Sequence, residues 1–254
     1  MTTPRVSHDE IAAMVDAIPF SSVADREFLR RVYSTPAQVY ADRLRRLGFA
    51  RRTSVLDAGS GYGQWSLALA GLNERVTALE FGAQRTEVTA MLGRRAGVAN
   101  LHVVRGRLEH LPFECGEFDA VFSYLAIYFT DLHTTLREIA RVMRPGGLFY
   151  LSANDVGWYV GDLIEGRHST PDQSTRRAAL SAIVRGISFA LGSHRGGEKF
   201  VPISTMRRAL HDRGFREIRS AGEGRLNAAI GEAPPFFAQR RYGFPAVYEI
   251  LSTR

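Results

Sequence analysis

The chain has 254 residues, 45% of them hydrophobic, and a formal net charge of +7. That length suits one α/β domain with additions and a sizeable core, and no apolar run is long enough to cross a membrane. The single cysteine, Cys115, excludes an intrachain disulfide and a cysteine-based zinc cluster.

Basic charge raises the question of nucleic acid. Lys199 is the only lysine, and the arginines are dispersed in pairs such as Arg30-Arg31, Arg45-Arg46, Arg94-Arg95 and Arg207-Arg208. Such dispersion favours a solvated surface over an RNA-binding face. The first residues lack an apolar signal core, so a cytoplasmic location is expected.

Residues 1–50 read as an N-terminal helical cap. Ile11, Val15 and Ile18 share one helical face until Pro19 stops the run. A second helix covers Asp25 to Tyr33. A third has Thr35 as N-cap and Pro36 at its first position, carries Tyr40 and Leu44, and ends at Gly48.

The run Val55-Leu56-Asp57-Ala58-Gly59-Ser60-Gly61-Tyr62-Gly63 then reads as a buried strand, a glycine turn and a helix opening at Gln64. Such a junction suits a nucleotide-like ligand, with unpaired N–H groups and a positive dipole end at the helix start. The dinucleotide pattern G-x-G-x-x-G is broken, because Gln64 stands where its third glycine belongs. No G-K-[ST] follows, which excludes a P-loop. A second strand, Arg75 to Leu79, ends in Glu80, placed to hold ribose hydroxyls about 20 residues beyond the turn.

Strands are predicted near 53–58, 75–80, 101–105, 118–123 and 148–153, with helices near 63–71, 83–96 and 131–143. This alternation implies a parallel sheet covered on both faces, with ligands beyond the carboxyl ends of the strands. Residues 154–200 read as an insertion on the cleft side: a polar loop at 165–172, a helix from Ser174 to Leu191 and a glycine-rich joint at 192–197. A lid or substrate wall is expected there, with dimerisation as the alternative. A helix from Pro202 to Arg213 and strands at 215–221 and 247–252 follow.

These motifs resemble the class I S-adenosylmethionine-dependent methyltransferases. The resemblance rests on Asp57-Ala58-Gly59-Ser60-Gly61-Tyr62-Gly63, on Glu80, on Leu111-Pro112-Phe113 followed by Phe118-Asp119-Ala120-Val121, and on Arg144-Pro145-Gly146-Gly147, in order over about residues 53–153. It implies an α/β fold: a Rossmann-like, seven-stranded, mostly parallel sheet whose last strand is antiparallel. The methyltransferase domain would span 51–254, with the cap before it and the 154–200 insertion within it.

The resemblance also implies S-adenosylmethionine as methyl donor, S-adenosylhomocysteine as product, and no metal. Gly59, Ser60, Gly61 and Gly63 would lie along the methionine and ribose portions, with Asp57 orienting the loop or meeting the amino group through water. Glu80 would take both ribose hydroxyls and Phe81 would lie against adenine. Family members often carry an acid at the third-strand end; here Arg107 replaces it, while Leu108 keeps its ring contact. The Ser123 carbonyl would meet the methionine ammonium, and Tyr33 and Tyr40 of the cap would approach its methionine end. Base candidates are His133 and Tyr128, then His168, His194, Tyr124, Asp155 and Tyr159.

The expected activity is methyl transfer to oxygen or nitrogen of a small molecule by in-line displacement, in specialised metabolism. The alternatives are an RNA methyltransferase and a catalytically silent S-adenosylmethionine-binding protein. The expected partner is the small-molecule acceptor, not nucleic acid or a membrane, for a monomer or homodimer.

Overall fold

The computed structural model describes residues 13, 18–20, 22–166, 169, 170, 173–192, 196–226 and 234–254. Most of the first expected helix, including Ile11 and Val15, lies outside them, as do His168 and His194. In chain order the elements are α1 (Val23–Tyr33), α2 (Ala37–Arg46), β1 (Ser54–Ala58), α3 (Gln64–Ala70), β2 (Arg75–Glu80), α4 (Ala83–Arg95), β3 (Leu101–Arg105) and β4 (Phe118–Tyr124). Then come α5 (Leu132–Val142), β5 (Met143–Asn154), α6 (Val156–Glu165), α7 (Thr175–Ala190), α8 (Ile203–His211), β6 (Arg216–Gly222), the two-residue strands β7 (Arg240–Arg241) and β8 (Phe244–Pro245), and β9 (Val247–Thr253).

Seven strands form one sheet in the order β3-β2-β1-β4-β5-β9-β6. β9 is antiparallel to both β5 and β6, and the other pairings are parallel. Successive residues of the central strands feed opposite faces. Val55, Phe122, Tyr150 and Leu251 pack with Tyr40 and Leu44 of α2 and with Trp65 and Leu69 of α3. Leu56, Val121, Leu151 and Ile250 pack with Leu136 and Ile139 of α5 and with Met206 and Leu210 of α8. Strands buried on both faces account for their unbroken apolar runs. Chain order along the sheet reverses between β1 and β4, which places the ligand crevice beyond the carboxyl ends of those two strands.

Three expectations shift. Pro36 occupies the N-cap of α2 in an extended conformation, so the helix begins one residue later, at Ala37. β5 begins at Met143, not near 148, because Met143 pairs with Phe118 before the register shifts to Ala120 and Leu148. The expected 154–200 insertion holds α6 as well as α7. α6 runs through Gly157 and Gly161, where added side chains would strike the Phe244 carbonyl and the Arg241 guanidinium. Among the described residues no helix is long and apolar enough to cross a membrane.

Candidate cofactor and acceptor site

The three loop glycines do different work. All have positive φ: +82° at Gly59, +57° at Gly61 and +80° at Gly63. A Cβ on Gly59 would collide with Ala126 in the loop after β4, and one on Gly63 would lie 2.5 Å from Thr89 Cγ2 of α4. These two let the loop pack. A Cβ on Gly61 would meet only the Phe28 ring of α1, at 3.8 Å. Gly61 is therefore the glycine that borders open space, roofed by the cap.

Backbone bonds fix the loop over the end of β2. Gly59 and Ser60 N–H donate to the Leu79 carbonyl at 2.9 and 3.0 Å. Gly61 N–H donates to Glu80 Oε2 at 3.0 Å, and Gly82 N–H to Glu80 Oε1 at 2.8 Å. A carboxylate has about four acceptor positions, so the buried Glu80 retains capacity for two ribose hydroxyls. Ser60 Oγ is buried with no partner among the described residues. A buried hydroxyl in that state calls for a ligand or water atom.

Asp57 is engaged by the helix that follows the loop. It is buried, and Ser66 Oγ of α3 donates to its Oδ2 at 2.5 Å. Burial pushes its carboxyl up to about 7, with Ser66 opposing and Glu80 adding to the shift. The Asp57 side chain thus ties the end of β1 to the first turn of α3.

Phe81 is 59% exposed beside Glu80. The Arg107 guanidinium lies 4.7 Å from the centre of the Phe81 ring, and its Nε is 3.7 Å from a Glu109 carboxylate oxygen. Leu108 is buried. Gly106 N–H donates to the Glu80 carbonyl at 3.0 Å, tying the end of β3 to this corner. The expected adenine flank is thus an exposed ring carrying an arginine.

Ser123 ends fully buried between strands, its Oγ donating to the Ala58 carbonyl at 2.7 Å. Two residues on, Leu125 has φ +53°, a left-handed conformation that a leucine adopts at a cost of about 1–2 kcal/mol. Its N–H donates to Ser152 Oγ and to the Ser152 carbonyl. Strain held this way gathers at ligand-handling loops.

The hydroxyls of the cap tyrosines bond to backbone carbonyls. Tyr33 donates to the Tyr62 carbonyl at 2.8 Å, and Tyr40 to the Val32 carbonyl at 2.7 Å. Tyr40 also stacks on Phe236 and meets Trp65 edge-on. Both are buried clamps of the cap, one bound to the glycine loop itself.

The base candidates are likewise occupied. His133, at the second position of α5, stacks on Phe189 of α7 with ring centres 5.6 Å apart. Tyr128 is buried, its hydroxyl accepts from Asn154 Nδ2 at 3.1 Å, and burial holds its pKa well above the ordinary value. It is a neutral phenol near pH 7. Asp155 caps α6 by accepting from Val156 N–H, and Tyr159 donates to the Lys199 carbonyl.

Sequence reasoning missed a buried charge network. Arg43 of α2 is ion-paired to Glu223, just after β6, and at 2.8 Å to Glu249 of β9. Tyr124 donates to Glu223 at 3.0 Å and Tyr150 to Glu249 at 2.9 Å. Phe236 N–H binds the other Glu223 oxygen, and Leu226 N–H the other Glu249 oxygen. The network joins the cap, the end of β4 and the 234–239 segment. Its one readable signal is an acid at Glu249 inside the apolar run Val247-Tyr248-Glu249-Ile250-Leu251, which demands a buried partner.

Residues 56–151 match a family model described as a methyltransferase domain. The methyltransferase YcgJ of Bacillus subtilis (strain 168), itself uncharacterised, is 33% identical over 38% of this chain and 39% of its own length. Demethylmenaquinone methyltransferase of Lactococcus lactis (strain IL1403) is 32% identical over 42% of this chain and 44% of its own length. The match thus spans less than half the length of these curated relatives. Across nearly the whole chain, a solved structure of geranyl diphosphate methyltransferase with SAM shares the fold, at TM-score 0.58 and 18% identity, covering 95% of this chain and 94% of that one.

Proposed function

We propose that the chain, whose residues 56–151 match a methyltransferase domain, is a class I S-adenosylmethionine-dependent methyltransferase and transfers a methyl group from that cofactor to oxygen or nitrogen of a small molecule. The observation that carries the cofactor reading is the corner built by Gly61, Ser60 and Glu80. Gly61 borders open space, Ser60 Oγ is buried without a partner, and Glu80 keeps two acceptor positions beside them. Neighbours in fold and sequence whose names specify small acceptors support the acceptor class.

When bound, the sulfonium supplies an activated methyl group with a neutral thioether as leaving group. The protein's share is position and dryness. Glu80 holds the ribose, Phe81 and Leu108 flank the adenine, and the carbonyl of Ser123 with the Ser60 hydroxyl takes the methionine end. Alignment of this kind contributes roughly 7–11 kcal/mol in well-oriented systems. Phe28 and the Tyr33 bond to the Tyr62 carbonyl hold the cap over the loop, Tyr40 packs it on Trp65 of α3, and together they exclude water. The engaged state of Tyr128 and His133 favours an acceptor that needs no strong base, such as an amine, and gives weight to a second reading, a protein that binds the cofactor without turnover.

Calorimetry should show S-adenosylmethionine binding that Gly61→Arg abolishes. Labelled methyl groups offered with a metabolite extract should enter the small-molecule fraction. Label entering RNA alone would reverse the acceptor assignment, and tight binding without turnover in any fraction would select the second reading.

A further inference from the structure

Helix α7 turns an apolar row outward. Leu180, Val184, Ile187 and Leu191 are 57%, 53%, 58% and 83% exposed. At about 100° per residue these four positions fall within about 60° of the helix circumference. They are not the core face of the helix. That face is Ala179, Ala182, Gly186 and Phe189, all buried. One turn before Leu180, on either side of the row, stand the exposed Arg176 and Arg177.

Charge decides what covers this row. α7 contains Arg176, Arg177 and Arg185 and no acidic residue. Arg185 lies about 140° around the helix and donates to the Glu198 carbonyl, so the row is flanked by Arg176 and Arg177. A second copy would set these arginines against their own kind, and four side chains fall short of the about 800 Å² per partner of a stable interface. An anionic lipid surface suits both features at once: aliphatic side chains enter the boundary between headgroups and acyl chains while flanking arginines meet the headgroups. The chain's net charge of +7 acts in the same direction.

We propose that α7 docks this protein on an anionic membrane surface. This is attachment of one helix face, not a span, and it does not depend on which acceptor is methylated. It revises the expectation of no membrane partner.

The test is sedimentation of the full chain with vesicles of phosphatidylcholine alone or mixed with phosphatidylglycerol. The mixed vesicles should bind it at least about tenfold better, with binding weakened by salt. Arg176→Gln and Arg177→Gln should each weaken binding about fivefold. Val184→Asp with Ile187→Asp should abolish it, with the far-UV circular dichroism unchanged because both sites are exposed. A spin label on Ile187→Cys in a Cys115→Ser background should become oxygen-accessible and nickel-protected on the mixed vesicles. Failure to bind the mixed vesicles, binding untouched by the aspartate pair, or a dimer that the aspartate pair dissociates in light scattering would each overturn the proposal.

Discussion

The glycine loop after β1 and the cap that faces it are held by different means. The loop rests on its own backbone N–H groups: those of Gly59 and Ser60 are spent on the Leu79 carbonyl and that of Gly61 on the Glu80 carboxylate, and two of its glycines exist to let other chain segments touch it. The cap rests on side chains: Arg43 between two buried glutamates, and Tyr40 and Tyr33 bound to carbonyls. A backbone-built site accepts almost no change at a few positions and is indifferent elsewhere. A side-chain-built wall spreads its dependence over residues far apart in sequence, so the cap can change while the loop stays fixed.

The contrast is sharpest where charge is buried. Arg43→Met should cost about 3–5 kcal/mol in urea unfolding, since it strands Glu223 and Glu249 without a cation. Adding Glu223→Gln and Glu249→Gln should restore much of that. A single Arg43→Met that unfolds like the wild type would mean the cap is not held by this network.

Asp57 offers a pH reading of the loop's underside. Its folded pKa is raised to about 7 by burial, so the folded chain binds this proton more tightly than the unfolded chain. Stability from this group is therefore present at low pH and is lost as pH rises from about 4 to about 7. Without cofactor, the Asp57→Asn variant should gain on the wild type across that window by up to about 4 kcal/mol. A constant difference between the two proteins would show that Asp57 does not titrate as an isolated buried acid.

Glycine substitutions should then separate packing from binding. Gly63→Ala meets both a left-handed backbone and Thr89, and should lower stability by about 2–4 kcal/mol. Glu80→Ala should weaken S-adenosylmethionine binding about 100-fold in calorimetry, the loss of two charge-assisted bonds, and should also lower stability by about 1–3 kcal/mol, because the Gly61 and Gly82 N–H groups lose their acceptor. The smallest effect should come from Tyr40→Phe, at about 1 kcal/mol for one bond to a backbone carbonyl. If Tyr40→Phe cost more than Arg43→Met, the ranking of clamps in the cap would be inverted.

The same contrast explains what the sequence discloses. β2 and β3 are legible residue for residue, because short apolar runs between turn signals leave few alternatives. Glu80 is legible because an acid closing a buried strand has few bland roles. α6 is not, since Gly157 and Gly161 argue against a helix until Phe244 and Arg241 are seen to need the space. The expected sameness of Gly59, Gly61 and Gly63 dissolves for the same reason: which glycine faces a neighbour depends on Ala126 and Thr89, residues that no local pattern brings to the loop. Arg43, Glu223 and Glu249 meet across most of the chain's length, and only folding pairs them.

Lys199 is the only lysine in the sequence, and it is buried, with its ammonium on the carbonyls of Tyr128 and Thr130. The chain therefore has one side-chain amine, sealed where the segment after α7 meets the loop after β4. Acylating reagents should leave that amine untouched in the closed molecule and modify it whenever this seam parts. The rate of acetylation at Lys199, read by mass spectrometry, becomes a native clock for how often α7 and its flanking segments lift from the sheet, with or without cofactor and on or off a lipid surface.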